Sequence, residues 1–216
     1  MLWTMRRFPS RLVLFALVAG FLAAPSAAQA PRMAPDFYAT IAVAGFERPV
    51  EVRQSGLKRR LDIATGGLVQ SYITDRTRGA LIVLSAAGRR RIAFVFPLAQ
   101  EEVAQPLPLD LMVMQDGKAR LTRIGSSSVA GRSCQLWRYL GYLGRSGTIC
   151  STAEGVILQL TPDGRATPLF QVLTLVQTVQ DPRWFTVPAD YEITALPGMG
   201  GLAVRPAPVV APTPAR

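Results

Sequence analysis

The residues with the most definite chemistry in this sequence are Cys134 and Cys150, two thiols that can be oxidised to a disulfide. They flank a segment that alternates like two neighbouring strands, and a hairpin folded symmetrically about Tyr142 places them opposite each other. The same register sets Trp137 against Gly147, so that an aromatic ring covers a bare glycine backbone. The sequence therefore predicts a disulfide-linked hairpin, stabilised by about 3 kcal/mol in the chain-entropy model.

Residues for catalysis are harder to find, because the sequence has no histidine. This removes Ser-His and Cys-His nucleophile pairs and the commonest metal ligand. Nucleophile-elbow, phosphate-loop and dinucleotide-binding motifs do not occur. Glu101 and Glu102 lie on a predicted helix, and other carboxylates lie near strand ends, where capping is their usual role. We therefore predict no catalytic centre, no cofactor and no metal site. A hydrolase with two acids facing each other in a cleft is the alternative.

The first thirty residues have the layout of a secretory signal peptide. Arg6, Arg7 and Arg11 precede an apolar run over residues 12–24, and small residues follow up to Ala30. The run is shorter than the about 20 apolar residues that a membrane span needs. We predict cleavage after Ala30 and export to the periplasm of a Gram-negative bacterium, where two cysteines are more often paired than free.

Residues 31–196 are predicted to form a single domain, since this length suits one core. Residues 197–216 contain five prolines and no aromatic residue, which predicts a disordered tail. Without the three signal arginines, 21 cations face 14 acids, a net charge of +7. This charge fits an anionic envelope surface as a partner, and ordinary solubility charge is the alternative. We predict no nucleic-acid partner, because nucleic acid is an unusual ligand for an exported protein, and no membrane span once the signal peptide is removed.

Short alternating segments separated by glycine turns predict a mainly β fold, an antiparallel half-open β-barrel. Six strands are predicted within residues 37–96, and one of them is residues 68–75, which follow the Gly66-Gly67 turn. Further strands are predicted at 119–125, in the disulfide hairpin and at 168–179, with serines 126–128 as a loop.

The exception to this pattern is residues 97–115, the predicted lid segment. Residues 98–105 predict a short helix, and Pro106 and Pro108 forbid its continuation. Leu111, Met112 and Met114 then cover one mouth of the sheet. A crossover loop packed on the core is the alternative.

Two basic clusters, residues 58–60 and 89–91, each begin a strand. Strand alternation puts Arg59 on the side of Leu57, Leu61 and Ile63. One interpretation is contact with an anionic headgroup at the barrel rim. The favoured one is a solvated strand edge protected by charge.

Several motifs of the C-terminal half carry a family resemblance: Val129-Ala130-Gly131, Cys134, Trp137, Cys150, Glu154-Gly155-Val156 and Phe185-x-Val187-Pro188-x-x-Tyr191. With these, the chain resembles an uncharacterised family of exported bacterial proteins grouped with the LolA/LolB-like lipoprotein-carrier fold. The resemblance implies a half-open antiparallel barrel with a helical lid. None of the carrier's functional residues matches a position here, so lipoprotein carriage is not implied.

The predicted function is non-catalytic binding of a lipid or other amphiphile, or of an envelope partner, by a concave apolar face. Both sides of several strands are apolar: Ala93 and Val95 share one side, Phe94 and Phe96 the other. The alternative is a structural or interaction protein with a filled core and no ligand. The predicted cavity and lid residues are Phe94, Phe96, Leu111, Met112, Met114, Trp137 and Phe170.

Overall fold

The computed structural model describes residues 33–87, 90–98, 107–116 and 118–195. The predicted signal peptide, the helix at 98–105 apart from its first residue, and the tail lie outside these ranges. The strands are β1 Phe37–Val43, β2 Val50–Ser55, β3 Lys58–Thr65, β4 Leu68–Asp75, β5 Ala80–Ala87, β6 Arg90–Pro97, β7 Arg120–Val129, β8 Arg132–Tyr142, β9 Arg145–Ser151, β10 Ile157–Pro162, β11 Phe170–Gln177 and β12 Glu192–Ala195. Helix α1 is Leu111–Asp116, and a 3₁₀ turn spans Pro182–Phe185.

All these strands belong to one sheet, in the order β12-β6-β5-β4-β3-β2-β1-β11-β10-β9-β8-β7. Two meanders, β1 to β6 and β7 to β11, are joined where β1 pairs with β11. Every pairing is antiparallel except that of β12 with β6. The sheet does not close, so the prediction of a mainly β, half-open barrel-like fold is confirmed.

The inner face of the sheet carries the larger core. In β1, Phe37, Ala39, Ile41 and Val43 are buried, while the intervening residues are half-buried or exposed, as strand alternation requires. This cluster also takes in side chains of β2 and β8 to β11 and of residues 107–114.

The outer face carries a second, smaller core over β4 to β6. Ile73, Ile82 and Val95 pack there with Phe185 and Val187, which follow β11 in the chain. Phe185 and the half-buried Tyr191 thus pack back against the outer face of the sheet. The sequence did not predict that β12 then adds a parallel strand to β6.

The sequence prediction was wrong for two local elements. Ser126, Ser127 and Ser128 continue β7 and are not a loop, because each pairs with a residue of β8. The chain is helical at α1, where the prolines were expected to prevent it. The helix begins after Pro108, and the Asp110 carboxylate accepts a hydrogen bond from the Met112 amide at 2.8 Å.

The disulfide Cys134–Cys150 forms, but the predicted hairpin register was wrong by two residues. Leu136 pairs with Cys150, so the cysteines are diagonal neighbours with a Cα–Cα distance of 5.5 Å. The reason is the turn: Leu143 and Gly144 both have positive φ, which makes a two-residue loop, and a bulge at Gly141 comes just before it.

Candidate functional site

The inner face holds an apolar cleft of about 540 Å³. Its lining comes from the ends of β1, β8 and β10, from β3 and from the chain just before α1 and before β11. The lining residues are Val43, Ala44, Phe46, Ile63, Leu107, Pro108, Tyr139, Tyr142, Leu143, Arg145, Leu160, Pro162 and Leu169. Only Arg145 among them carries a charge, so the cleft favours hydrocarbon over polar groups.

The rim of the cleft includes the tip of the β8–β9 hairpin. Leu143 is 48% exposed there and has φ +52°, a backbone conformation that asparagine, aspartate and glycine favour in such turns. Arg145 is exposed beside it. In the described ranges, no carboxylate lies within ion-pair distance of the Arg145 guanidinium. The rim therefore combines an exposed apolar side chain with an accessible positive charge.

Two buried tyrosines, Tyr139 and Tyr142, contribute to the wall of the cleft. Burial raises the pKa of Tyr142 to about 12, although the nearby Arg59 and Arg76 guanidinium groups oppose the shift. Burial also raises the pKa of Tyr139, with a smaller opposing effect from Arg145. Both phenols are therefore neutral at physiological pH.

Next to the cleft, the guanidinium of Arg59 is buried in a polar network. Its Nε and Nη2 donate to Gln54 Oε1 at 3.1 and 2.7 Å, and its Nη1 donates to the Leu107 carbonyl at 3.2 Å. Gln54 Nε2 in turn donates to Asp110 Oδ2 at 3.1 Å. Burial lowers the pKa of Arg59 to about 10, with Asp110 opposing the shift, so the group remains charged at neutral pH.

This network corrects the interpretation of residues 58–60 as a solvated strand edge. Arg59 is only 4% exposed, because it lies on the same face of β3 as the inward-facing Leu61. Arg60, on the outer face, donates to Asp62, to Ser71 Oγ and to the Trp184 carbonyl. The second cluster has one ion pair in the described residues, between Arg91 and Asp190.

A smaller recess includes Arg59 in its lining. Its volume is about 20 Å³, room for about one water molecule. Met33, Lys58, Arg76 and Met112 are among its lining residues. It is too small for an organic ligand, so the apolar cleft is the candidate site.

No family model and no curated protein matches the chain. Among solved structures, it is similar to an uncharacterized conserved protein from Thermus thermophilus, with 12% identity over 76% of this chain and 91% of that one and a TM-score of 0.47. It is also similar to MucB, with 14% identity over 72% and 58% of the two chains and a TM-score of 0.37. A Pseudomonas aeruginosa MucA/MucB complex gives 14% identity, 74% and 58% coverage and a TM-score of 0.36. Such scores establish neither a shared fold nor a shared function.

The residues predicted to bind a ligand do not themselves line the cleft. Phe170, Leu111 and Met114 are buried in the core cluster that also contains Tyr139 and Tyr142. Met112 lines the small recess. Trp137 is half-buried against the same core, and its indole Nε1 donates to Ser151 Oγ at 3.0 Å.

Phe94 and Phe96 lie on the inner face and are half-buried. Phe94 pairs with Val83, and the cross-strand row continues through Tyr72 to Leu61. Leu61 shares its side of β3 with Ile63, which lines the cleft. The apolar inner face therefore extends from the cleft to the predicted residues of β6.

Sequence reasoning missed the lining residues because most of them sit at strand ends and in turns or loops, where polar side chains are usual. That position is itself a signal. Phe46 and Leu143 are apolar residues beside turn glycines, and both are exposed. Within the described part of the chain, no group of three His, Cys, Asp or Glu residues could hold a metal ion, and no helix is long and apolar enough to cross a bilayer.

The raised pKa of Tyr142 predicts an alkaline titration that can be measured. In the unfolded chain a tyrosine ionises near pH 10, whereas folded Tyr142 does so near pH 12. The folded state thus retains the proton longer, and this contribution to stability falls as pH rises from about 10 to about 12. Subtracting the phenolate absorbance of Tyr142→Phe from that of the wild type should leave one transition near pH 12. A difference transition near pH 10 instead would contradict the burial of this phenol.

Proposed function

We propose that the protein is an exported, non-catalytic binding protein that takes the hydrocarbon part of a lipid-like ligand into the apolar cleft. The observation that carries this proposal is the cleft itself. Its volume of about 540 Å³ lies within the range of about 300–1,000 Å³ that ligand sites have. The described residues of its lining are aliphatic and aromatic apart from one guanidinium, so they suit binding and include no acid–base pair.

The rim gives further support. A leucine in the left-handed conformation at a hairpin tip works against local preference, and Leu143 is exposed as well. Departures from local preference are enriched at functional positions. An open antiparallel sheet is also in keeping with the half-open barrel that the LolA/LolB-like resemblance implies, and the disulfide favours an exported location.

The second candidate is an interaction protein of the cell envelope that has no small ligand. The burial of Phe170, Leu111 and Met114 favours it, because much of the inner space is filled. Large apolar side chains on β11, Leu173 and Val176, are also exposed and could contact a partner.

Filling the cleft tests the proposal against this alternative. Ala44 is half-buried and lines the cleft, so Ala44→Phe places a ring in the volume that a ligand would occupy. We expect wild-type protein to bind the apolar dye N-phenyl-1-naphthylamine with a rise in fluorescence, and Ala44→Phe to weaken binding about tenfold or more.

The matched control is Ala42→Phe, since Ala42 is exposed on β1 and does not line the cleft. This variant should bind the dye like the wild type. Wild-type protein that binds no dye, or equal losses in the two variants, would overturn the proposed function and favour the interaction protein.

A further inference from the structure

The polar groups around the cleft differ between its inner wall and its rim. Next to the inner wall, and outside the cleft lining, Arg59 is buried and its donors are engaged by Gln54 Oε1 and the Leu107 carbonyl. The Tyr142 phenol is buried and neutral at physiological pH. A ligand head placed there would lose its hydration and compete with bonds that already exist, which costs free energy.

The rim differs because Arg145 is exposed and has no carboxylate partner in the described ranges. Among the residues that the structure describes, no acidic side chain lines the cleft either. A ligand head at the rim would therefore meet one positive charge in partly solvated surroundings, next to the apolar side chain of Leu143. Hydrocarbon inside and a single cation at the mouth form a complementary surface for one kind of ligand.

We propose that the cleft selects single-chain amphiphiles with an anionic head, and that Arg145 binds this head at the rim while the chain lies against the apolar lining. The inference rests on the proposed function and adds the charge and the orientation of the ligand. A guanidinium suits this role because its planar donors match carboxylate and phosphate oxygens. A cationic head would be repelled by Arg145, and a neutral head would bind through its chain alone.

Three ligands with the same twelve-carbon chain separate charge from hydrophobicity: dodecanoate, dodecanol and dodecyltrimethylammonium. Each displaces N-phenyl-1-naphthylamine from the wild type, at low salt and about pH 8, where a carboxylate is ionised. We expect dodecanoate to bind about threefold to tenfold more tightly than dodecanol, and the cation to bind weakest. High salt should reduce the preference.

The test variant is Arg145→Gln, and Arg123→Gln is its control because Arg123 is an exposed cation on β7 outside the cleft. Arg145→Gln should bring dodecanoate down to the affinity of dodecanol and leave dodecanol unchanged, whereas Arg123→Gln should keep the preference. A further displacement experiment with lysophosphatidylglycerol compares a membrane lipid with the free fatty acid dodecanoate. Whichever of the two binds more tightly should lose affinity in Arg145→Gln.

The outcomes distinguish the role of Arg145 from the proposed binding function. Equal affinities for the three ligands, or a preference that survives Arg145→Gln, would overturn the role of Arg145 while the binding function stands. Failure of the dye and of every amphiphile to bind would overturn the proposed function and this inference together.

Discussion

Replacing Arg59 by methionine should lower the free energy of unfolding by about 3–5 kcal/mol. The substitution keeps an unbranched chain of similar length but removes the charge and the donors. Gln54 Oε1 and the Leu107 carbonyl then lose their donors, and the buried Asp110 carboxylate loses its cationic neighbour. Urea-induced unfolding followed by tryptophan fluorescence measures the loss.

Two further variants test whether the loss of stability comes from the buried charge of Arg59 and not from the removal of an arginine in general. Arg48 is exposed, so Arg48→Met should change stability by no more than about 0.5 kcal/mol. The double variant Arg59→Met, Asp110→Asn should recover part of the loss, because it leaves no uncompensated carboxylate in the core. If Arg59→Met were as stable as wild type, the guanidinium would have to be hydrated and not buried.

Adding one methyl group at Gly147 should be the second large perturbation. A Cβ there would lie 2.8 Å from Pro162 Cα and 2.8 Å from Tyr139 Cε1, and closer still to the Thr161 carbonyl oxygen. Most of these neighbours are backbone atoms of β10, so the strand itself must shift. We expect Gly147→Ala to cost about 3 kcal/mol, at the upper end for overpacking.

Gly125 provides the matched control for this substitution. It also lies in a strand, β7, but a Cβ there meets nothing within 4 Å, and its φ is not positive. Gly125→Ala should therefore be neutral or slightly stabilising. Because Tyr139 lines the cleft, dye binding by Gly147→Ala should weaken along with stability. Similar melting temperatures for the two variants would contradict the close approach of β9 and β10.

The strands of the N-terminal half were predictable because their signals are local. Residues 68–75 were predicted as a strand and form β4 over the same residues, since alternation and the Gly66-Gly67 turn fix both ends. The burial of Arg59 was also predictable from strand alternation, which places it on the same side of β3 as Leu61 and Ile63. The surrounding run of cations favoured the wrong interpretation.

The hairpin register was less accessible, because it depends on the conformation of two turn residues. Nothing in the alternation of β8 and β9 distinguishes a turn centred on Tyr142 from one at Leu143-Gly144. The aromatic cover over Gly147 was predicted correctly in kind, but Tyr139 provides it and not Trp137. A shift of two residues preserves the faces, which is why the disulfide was still predicted.

The cleft could not be predicted from alternation, since a strand pattern says which side chains face inward and not where space remains. Phe170 is fully buried in the core, whereas Ala44 and Leu169 border the open volume of the cleft. That difference depends on the packing of β1 against β11 and of the chain before α1. It arises only when distant parts of the sequence meet.

The pairing of β1 with β11 has a consequence for the rate at which this protein folds. The hydroxyls of Thr40 and Thr174 lie 2.8 Å apart across it, although 134 positions separate them in the chain. Each meander consists of neighbours in sequence and closes short loops, whereas this seam must close a very long one. The pairing of β1 therefore cannot be completed until β11, near the other end of the chain, has been placed beside it. Until then β1 has an uncovered apolar edge, and association with another copy competes with folding.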